Sequence, residues 1–261
     1  MKVLIVGDIV GSPGRQAFAR VATGMRSAGK VDFVVANAEN AAGGKGLSGK
    51  TAEELFAGGA DVITLGDHAW DQRDMLTYIE REERLVRPLN FAPEAPGRGV
   101  TTVKSASGVS VSVISIIGRT FMRPYDSPFH AIDGLLNGRN ALGPVIIVDF
   151  HAEATSEKIV MGRYLDGRAS AVVGTHTHVQ TSDERVLPKG TGYITDLGMT
   201  GPKDSAIGCD LESVMQTMIK GLPAKFDVAR DDVTLEGVVV DIDERTGRAR
   251  KIKRIREQLG K

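Results

Sequence analysis

Asp8, Glu39, Asn40, Asp67, His151, His176 and His178 share a position: each follows closely on a short run rich in Val, Ile or Leu. Asp8 comes after KVLIVG, Glu39 and Asn40 after FVVANA, and Asp67 after VITLG; His151 follows IIVDF, and His176 and His178 follow SAVVGT. Carboxylate and amide oxygens mixed with imidazole nitrogens suit Mn, Fe or Zn, and the absence of thiolates argues against a structural Cys-based zinc site. The supply exceeds one ion. With one carboxylate shared, these side chains make two coordination shells with room for water. Two ions about 3.5–4 Å apart can clamp the attacking and leaving oxygens of an in-line phosphoryl displacement, and a hydroxide bridging them is a strong nucleophile near neutral pH.

The apolar runs are the elements that must position these donors. KVLIV (2–6), DFVVA (32–36), DVITL (61–65), VSVSVISII (109–117), PVIIVDF (144–150) and SAVVG (170–174) are continuous rather than alternating, as in strands covered on both faces. Helical patterns lie between several of them, over 15–28, 50–56, 71–83 and 156–165. Strand alternating with helix predicts crossover connections and a largely parallel sheet flanked by helices. Two stretches break the rhythm as β-hairpins, one turning at Ser107-Gly108 and one near Thr246-Gly247. The expected fold is therefore α/β, a layered sandwich of mixed, mainly parallel sheets flanked by helices, in a single domain over 1–261. In such sheets ligands sit beyond the carboxyl ends of the strands. That is where the candidate donors fall, together with His68, so four of the five histidines lie at strand exits.

Composition excludes several classes. The 261 residues are 41% hydrophobic and 25% charged with zero formal net charge, an ordinary globular balance with no whole-molecule field to attract nucleic acid or a membrane. No apolar run approaches a membrane span, and the start MKVLIVGD is too short for a secretory signal. Cys209 is alone, so no intrachain disulfide forms, and a reducing cytoplasm is the expected compartment. The glycines of GDIVGSPGR lack dinucleotide-fingerprint spacing, and Asp8 would meet a pyrophosphate with like charge.

The ordered series GDIVG, NAEN, GDHAWD, FHAEATSEK and GTHTHVQTSDE resembles the calcineurin-like metallophosphoesterases, most of all their bacterial YmdB-type subfamily of cyclic-nucleotide phosphodiesterases. The resemblance runs from residue 1 to about residue 205, through GTGYITDLGMTGP. The superfamily's opening Asp-x-His is absent, and Glu39-Asn40 stands where a bridging Asp is usual; both departures are features of the subfamily. The resemblance implies one metal held by Asp8, Glu39, Asn40 and His178, and a second held by Glu39, Asp67, His151 and His176, with Glu39 bridging. It implies His68 as a general acid that protonates the leaving alkoxide, a role suited to an imidazole titrating near neutral pH. The implied cofactors are two divalent or mixed-valence ions, Fe or Mn before Zn. The implied reaction is hydrolysis of 2′,3′- or 3′,5′-cyclic nucleotides, small-molecule substrates. Where the family usually has Asn, this chain has Asp67, a charged oxygen expected to tighten metal binding and raise the pKa of His68.

Blander roles compete at each position. His176 and His178 alternate, and alternate residues of an extended segment point opposite ways, so two ligands there require an irregular backbone. His151 could be a satisfied core histidine, and Glu39-Asn40 could merely begin the loop AAGGKG. The convergence of five strand exits favours ligation at all of them. Asp71 reads as the N-cap of the following helix, with Asp74 in capping-box spacing, in preference to a role orienting His68. Asn37 reads as a support for a ligand's free oxygen, and His130 as a surface loop residue. The basic tail from Arg245 reads as a hairpin strand whose charges guard a sheet edge rather than as an RNA site, since no aromatics interleave. Arg119, Phe121 and Thr195 are the candidate substrate contacts, and TDLGMTGP (195–202) could offer backbone amides to a phosphate or form a rim. Homo-oligomerisation is possible. Two rivals stand: a phosphomonoesterase or nucleotidase on the same metals, and a regulatory nucleotide- or RNA-binding protein whose metal site does no chemistry.

Overall fold

The Val- and Ile-rich runs become strands whose alternate residues enter two different cores, which is why they are continuously apolar. In the computed structural model, which describes residues 1–138 and 142–259, strand β1 is Lys2–Val6. Its Val3 and Ile5 face a core between two sheets, while Leu4 and Val6 face a second core on the other side.

The first sheet runs β2 (Asp8–Ile9), β12 (Met199–Pro202), β13 (Val233–Ile242), β1, β3 (Phe33–Asn37), β4 (Val62–Thr64), β5 (Leu85–Val86), with β14 (Ala249–Gln258) also paired to β13. β1, β3, β4 and β5 are mutually parallel, whereas β13 is antiparallel to β1, β12 and β14. The second sheet runs β10 (Arg185–Val186), β11 (Gly192–Ile194), β9 (Ala171–Thr175), β8 (Val145–His151), β7 (Ser110–Ile117), β6 (Val100–Lys104). Its central four strands are parallel, and β6 and β10 are antiparallel edges.

Val3, Ile5, Phe33, Val35 and Val62 of the first sheet meet Val111, Val113, Val145, Ile147 and Val173 of the second, all buried, so the sheets share one core. Outside the first sheet, Leu4, Val34 and Ile63 pack on Phe18 and Ala22 of α1 (Gly11–Ser27), Leu55 of α2 (Gly49–Ala57), and Met75 and Ile79 of α3 (Met75–Arg81). Outside the second, Ile114, Val148 and Phe150 pack on Ile132 and Leu136 of α4 (Pro128–Asn137) and Met161 of α5 (Thr155–Tyr164). The result is a helix–sheet–sheet–helix sandwich, the mixed layered α/β fold expected. Hiding apolar surface on both strand faces, at about 25 cal/mol per Å2, is what holds the layers together. A sixth helix, α6 (Leu211–Lys220), lies beyond this frame with only Val214 buried.

Several local expectations change. Asp71 does not cap α3; Asp74 occupies the cap position, and Asp71 pairs with Lys45 at 3.2 Å. His130 is exposed as expected but sits in α4 rather than a loop, because Ser127 accepts from the His130 amide and Pro128 takes the first turn. α6 carries a cap signal that the helical pattern left unread, Asp210 accepting from the Ser213 amide. The basic tail forms β14 as expected, its Arg250 and Arg254 paired with Asp243 and Glu184. Burial pushes the Cys209 thiol up, which makes it an inert side chain. Among the described residues no helix is long and apolar enough to cross a membrane.

Candidate metal centre

The carboxyl ends of β1, β3, β4, β8 and β9 meet at one rim, and the seven candidate donors stand there. Glu39, Asp67, His151 and His176 each bring one ligand atom within 4.8 Å of the others, a group able to hold a metal ion. His151 Nε2 lies 3.0 Å from Glu39 Oε1 and 3.1 Å from Asp67 Oδ1, and His176 Nδ1 lies 3.0 Å from His151 Nε2. On the other side of Glu39, His178 Nε2 is 3.7 Å from Asp8 Oδ1 and 3.2 Å from Asn40 Nδ2, and that amide nitrogen is 3.4 Å from Glu39 Oε1. Two donor groups thus share Glu39.

Each of the three rim imidazoles has its far nitrogen fixed. His151 Nδ1 donates to Thr175 Oγ1 at 2.9 Å, because that hydroxyl spends its own proton on Asp149 Oδ1 at 2.7 Å. His176 Nε2 faces Glu153 Oε2 at 3.2 Å, and His178 Nδ1 donates to the Ile207 carbonyl at 2.9 Å. Holding the outer nitrogen as a donor reserves the inner one for a ligand: an ion among Glu39, Asp67 and the imidazoles would take the place of the proton on His151 Nε2 and leave the tautomer a metal ligand needs. Asn37 supports the same layer, donating to Asp149 and accepting from the Glu39 amide.

The loop after β9 solves the alternation problem by strain. His176 and His178 both adopt positive φ, 95° and 63°, which turns two alternate side chains toward one place. Between them Thr177 is clamped: its hydroxyl donates to Asp196 Oδ2 at 2.6 Å and its amide at 3.3 Å. Lys158 of α5 holds that carboxylate at 2.6 Å, both side chains almost wholly buried.

Charge at the rim is arranged for a cation. Burial opposes ionisation of Glu39, but the charges and hydrogen bonds of His151 and His68 hold it well below the usual carboxylate range. Burial likewise opposes charge on His151, yet Glu39 and Asp67 hold its pKa well above the ordinary value. Burial pushes Asp8 up to about 6, even against the pull of His178 and His151. Burial and then the neighbouring His151 depress His176 to about 4. Burial alone would raise Asp67, but its hydrogen bond from His151 lowers it.

The fit to metal is visible in three further details. Asp8 Oδ1 is buried with no hydrogen-bond partner among the described residues, and it faces His178 Nε2 across 3.7 Å, a gap an ion held by both would close. A Cβ on Gly66 would stand 2.3 Å from both Glu39 Oε2 and His151 Cδ2, so only glycine leaves the donors their space. The donor set is oxygen and nitrogen throughout.

His68 stands over the rim, partly exposed, its Nδ1 donating to Asn40 Oδ1 at 2.9 Å. Burial would lower its pKa, but the Glu39 hydrogen bond and charge, then Asp67 and Asp71, raise it. Asn40 therefore turns its oxygen to His68 and its nitrogen to His178; half a turn of the amide exchanges them.

The three candidate substrate contacts fare differently. Thr195 is buried, and its hydroxyl donates to Asp183 at 2.5 Å, so it is not available to a ligand. Phe121 is 89% exposed, and the Arg119 amide is held by Glu157. The amides of residues 197–199 are taken by Gly174, Asp196 and Glu236, so of the two roles open to this segment, amide donor to a phosphate or rim, these three amides do not serve the first. Sequence reasoning missed Glu153, Thr175, Asp149, Lys158, Asp196 and the Ile207 carbonyl. Only Asp149 and Glu153 carried a signal, as acids flanking His151 at the end of a buried run.

A two-sheet sandwich with acids and imidazoles gathered at its carboxyl rim defines a protein of the metallophosphoesterase type. The chain belongs to the YmdB-like protein family, whose model matches residues 4–255. It is 50% identical over 255 residues to the 2′,3′-cyclic-nucleotide 2′-phosphodiesterase of Bacillus subtilis (strain 168), covering 98% of this chain and 96% of that protein. Among solved structures, a hypothetical protein from Thermus thermophilus superposes with a TM-score of 0.92 at 40% identity, covering 99% of each chain. A novel phosphatase from Mycoplasma pneumoniae gives the same TM-score at 34% identity, covering 99% of this chain and 93% of that one.

Proposed function

We propose that this protein is a dinuclear-metal phosphodiesterase that hydrolyses cyclic nucleotides, with 2′,3′-cyclic nucleoside monophosphates its first substrates and 3′,5′-cyclic ones a second class. The observation that carries the reading is the pinning of three imidazoles by Thr175, Glu153 and the Ile207 carbonyl, so that their free nitrogens converge on Glu39, Asp67, Asn40 and Asp8. The name of the B. subtilis relative supports the choice of diester.

Asp8, Glu39, Asn40 and His178 would hold one ion, and Glu39, Asp67, His151 and His176 the other. Iron or manganese suits the donors best and zinc is the alternative. When bound, the ions supply positive charge to the phosphoryl oxygens and acidify water. The protein's own residues do the rest. Glu39 centres both groups, and the clamped 176–178 loop keeps two imidazoles from relaxing outward. Hydrolysis adds hydroxyl to phosphorus and a proton to the departing ribose oxygen, and His68 delivers that proton. Because Nδ1 is committed to Asn40, the proton given up must leave from Nε2, so the acid is the imidazolium form. The raised pKa of His68 keeps that form populated near neutrality. The whole chain acts as one catalytic domain, since both sheets contribute ligands and share a core, and the proposed setting is the cytoplasm.

The test is metal analysis of protein purified without chelators, coupled to hydrolysis of 2′,3′-cyclic GMP. Two metal equivalents and release of a nucleoside monophosphate are expected. The M. pneumoniae structure is described as that of a phosphatase, which favours one rival, a monoesterase. A preference for p-nitrophenyl phosphate over bis-p-nitrophenyl phosphate would replace the diesterase reading with that one.

A further inference from the structure

Beside the rim, and sharing Asp67 with it, lies a cleft of about 360 Å3 lined by Trp70, Phe91, Pro124, Tyr125, Arg123 and Asp126, among others. Phe91 and Tyr125 stack at 5.0 Å with 30° between their planes, and Trp70 leans on Phe91 at 6.0 Å. Aromatic walls with a few polar groups are the make-up of a small-molecule site.

Four polar groups of the cleft have no task in the fold. Among the described residues the Arg123 guanidinium and the Asp126 carboxylate make no hydrogen bond or ion pair, the Tyr125 hydroxyl has no partner, and Trp70 Nε1 donates to nothing. The backbone around them is fixed all the same, because Asn90 donates to the Asp126 carbonyl and the Ile117 carbonyl at 2.8 Å each. Phe91, next to Asn90, is itself buried. A rigid aromatic floor therefore carries a guanidinium, a carboxylate and a hydroxyl with nothing to bind. Asp67 stands in both the donor group of the rim and the wall of the cleft, so the cleft opens onto the reacting centre rather than away from it.

We infer that this cleft is the nucleobase subsite of the enzyme, in which a base packs against Trp70 and Tyr125 while Arg123 and Asp126 bond its edge. The inference rests on the phosphodiesterase reading for its substrate but not for its binding chemistry. A nucleobase has a π-face for the aromatic side chains and both donors and acceptors on its rim, which is what an unpaired guanidinium and carboxylate in one cleft can use together. A bare phosphate would use neither the rings nor Asp126. The subsite comes from the same 118–129 segment as the expected contacts Arg119 and Phe121, but from Arg123, Tyr125 and Asp126, which line the cleft while those two do not.

Two independent measurements test it on the full, metal-loaded chain. Trp70 is the chain's sole tryptophan, so its fluorescence reports on the cleft alone. Guanosine 3′-monophosphate should quench it saturably, and inorganic phosphate and glycerol 2-phosphate should not. In turnover, Arg123→Ala, Asp126→Ala and Tyr125→Leu should each raise KM for 2′,3′-cyclic GMP by about fivefold to a hundredfold. The same variants should leave kcat/KM for the base-free glycerol 1,2-cyclic phosphate within about twofold of the parent. Tyr125→Phe guards against a folding defect, since it keeps the ring stack and removes only the hydroxyl. Equal losses on both cyclic substrates, or no loss on either with no Trp70 quenching, overturn the subsite. Quenching without hydrolysis of any cyclic phosphate would instead sink the phosphodiesterase reading and leave the subsite standing.

Discussion

His151, His176 and His178 each hold one ring nitrogen in a bond to the protein, whereas Arg123, Asp126 and Trp70, a short distance along the same rim, end in groups bonded to nothing among the described residues. The contrast is one of preorganisation. A metal centre needs its donors held in tautomer and direction before the ion arrives, because a mobile or wrongly protonated imidazole weakens every shell it enters. A base-binding cleft needs a rigid floor and free edges. The difference separates the kinetics: damage to the pinned set strikes metal content and kcat, and damage to the idle set strikes KM for substrates that carry a base.

The pinned set breaks most severely at its centre. Glu39→Gln keeps the shape and removes the one charge that both donor groups share. Metal content measured by mass spectrometry is expected to fall by at least one equivalent per chain. Diesterase activity should fall by more than the roughly hundredfold typical of losing a supporting residue. Full metal content in this variant would remove Glu39 from the middle of the site.

His68→Gln asks the opposite question, because His68 stands over the donors without joining them. Two metal equivalents should persist while the rate falls by about 10²–10⁴-fold. The pH profile supplies the sign. His68 works protonated and its pKa is raised, so parental activity should fall as pH rises through that value. On the acid side, Asp8 titrates at about 6 and the histidines compete with the ion for protons, so metal affinity should weaken as pH drops below about 6. Calorimetric titration with Mn(II) on either side of that value, at about pH 5.5 and about pH 7.5, reads the acid limb, and equal affinities would contradict it.

One step further out, Asp196→Ala removes the anchor of Thr177 and strands the Lys158 ammonium in the interior. Breaking one side of a buried pair costs about 3–5 kcal/mol of stability, readable by denaturant unfolding. The double variant Lys158→Met with Asp196→Asn should recover much of that stability, because it leaves no unpaired charge. If Asp196 also holds the strained loop in place, the double variant will still bind metal about 10–100-fold more weakly than the parent. Stability and metal affinity recovering together would make the pair structural only.

The same contrast governs what could be seen in the sequence. Donors that follow Val/Ile runs were legible, because strand periodicity and the carboxyl-end rule place them without knowledge of any contact. KVLIV coincides with β1, and both hairpins turn where Ser107-Gly108 and Thr246-Gly247 indicated. The supports were hidden because they are tertiary: Glu153, Asp196 and the Ile207 carbonyl meet their imidazoles or loop only after separate chain segments come together. The cleft was half legible. Arg119 and Phe121 pointed to its segment as a substrate contact, but loop shape decided that Tyr125 turns in while Phe121 stays in solvent. α4 and α6 went unread although Ser127-Pro128 and Asp210 announce their starts; Pro128 reads as a breaker unless its place in the first helical turn is recognised.

Asp67 belongs to both regions, and its replacement gives the finest test of the difference between them. One carboxylate oxygen lies 3.1 Å from His151 Nε2 and 3.6 Å from His176 Nδ1, while the other is 3.9 Å from His68 Nε2 and the side chain also lines the cleft. Asp67→Asn keeps an oxygen for the metal and deletes one negative charge, so it alters electrostatics with little change of shape. Metal affinity should fall by a modest factor, on the order of tenfold, as one charge–charge contact becomes a charge–dipole contact. Because the Asp67 charge helps to raise the His68 pKa, the alkaline limb of the pH–rate profile should move to lower pH. KM for 2′,3′-cyclic GMP and the Trp70 response to guanosine 3′-monophosphate should stay near the parent's, since base binding uses the rings and edges of the cleft rather than this charge. If base affinity instead changes with the metal while the pH limb stays where it was, Asp67 couples the two regions, and the separation between a pinned centre and an idle cleft does not hold.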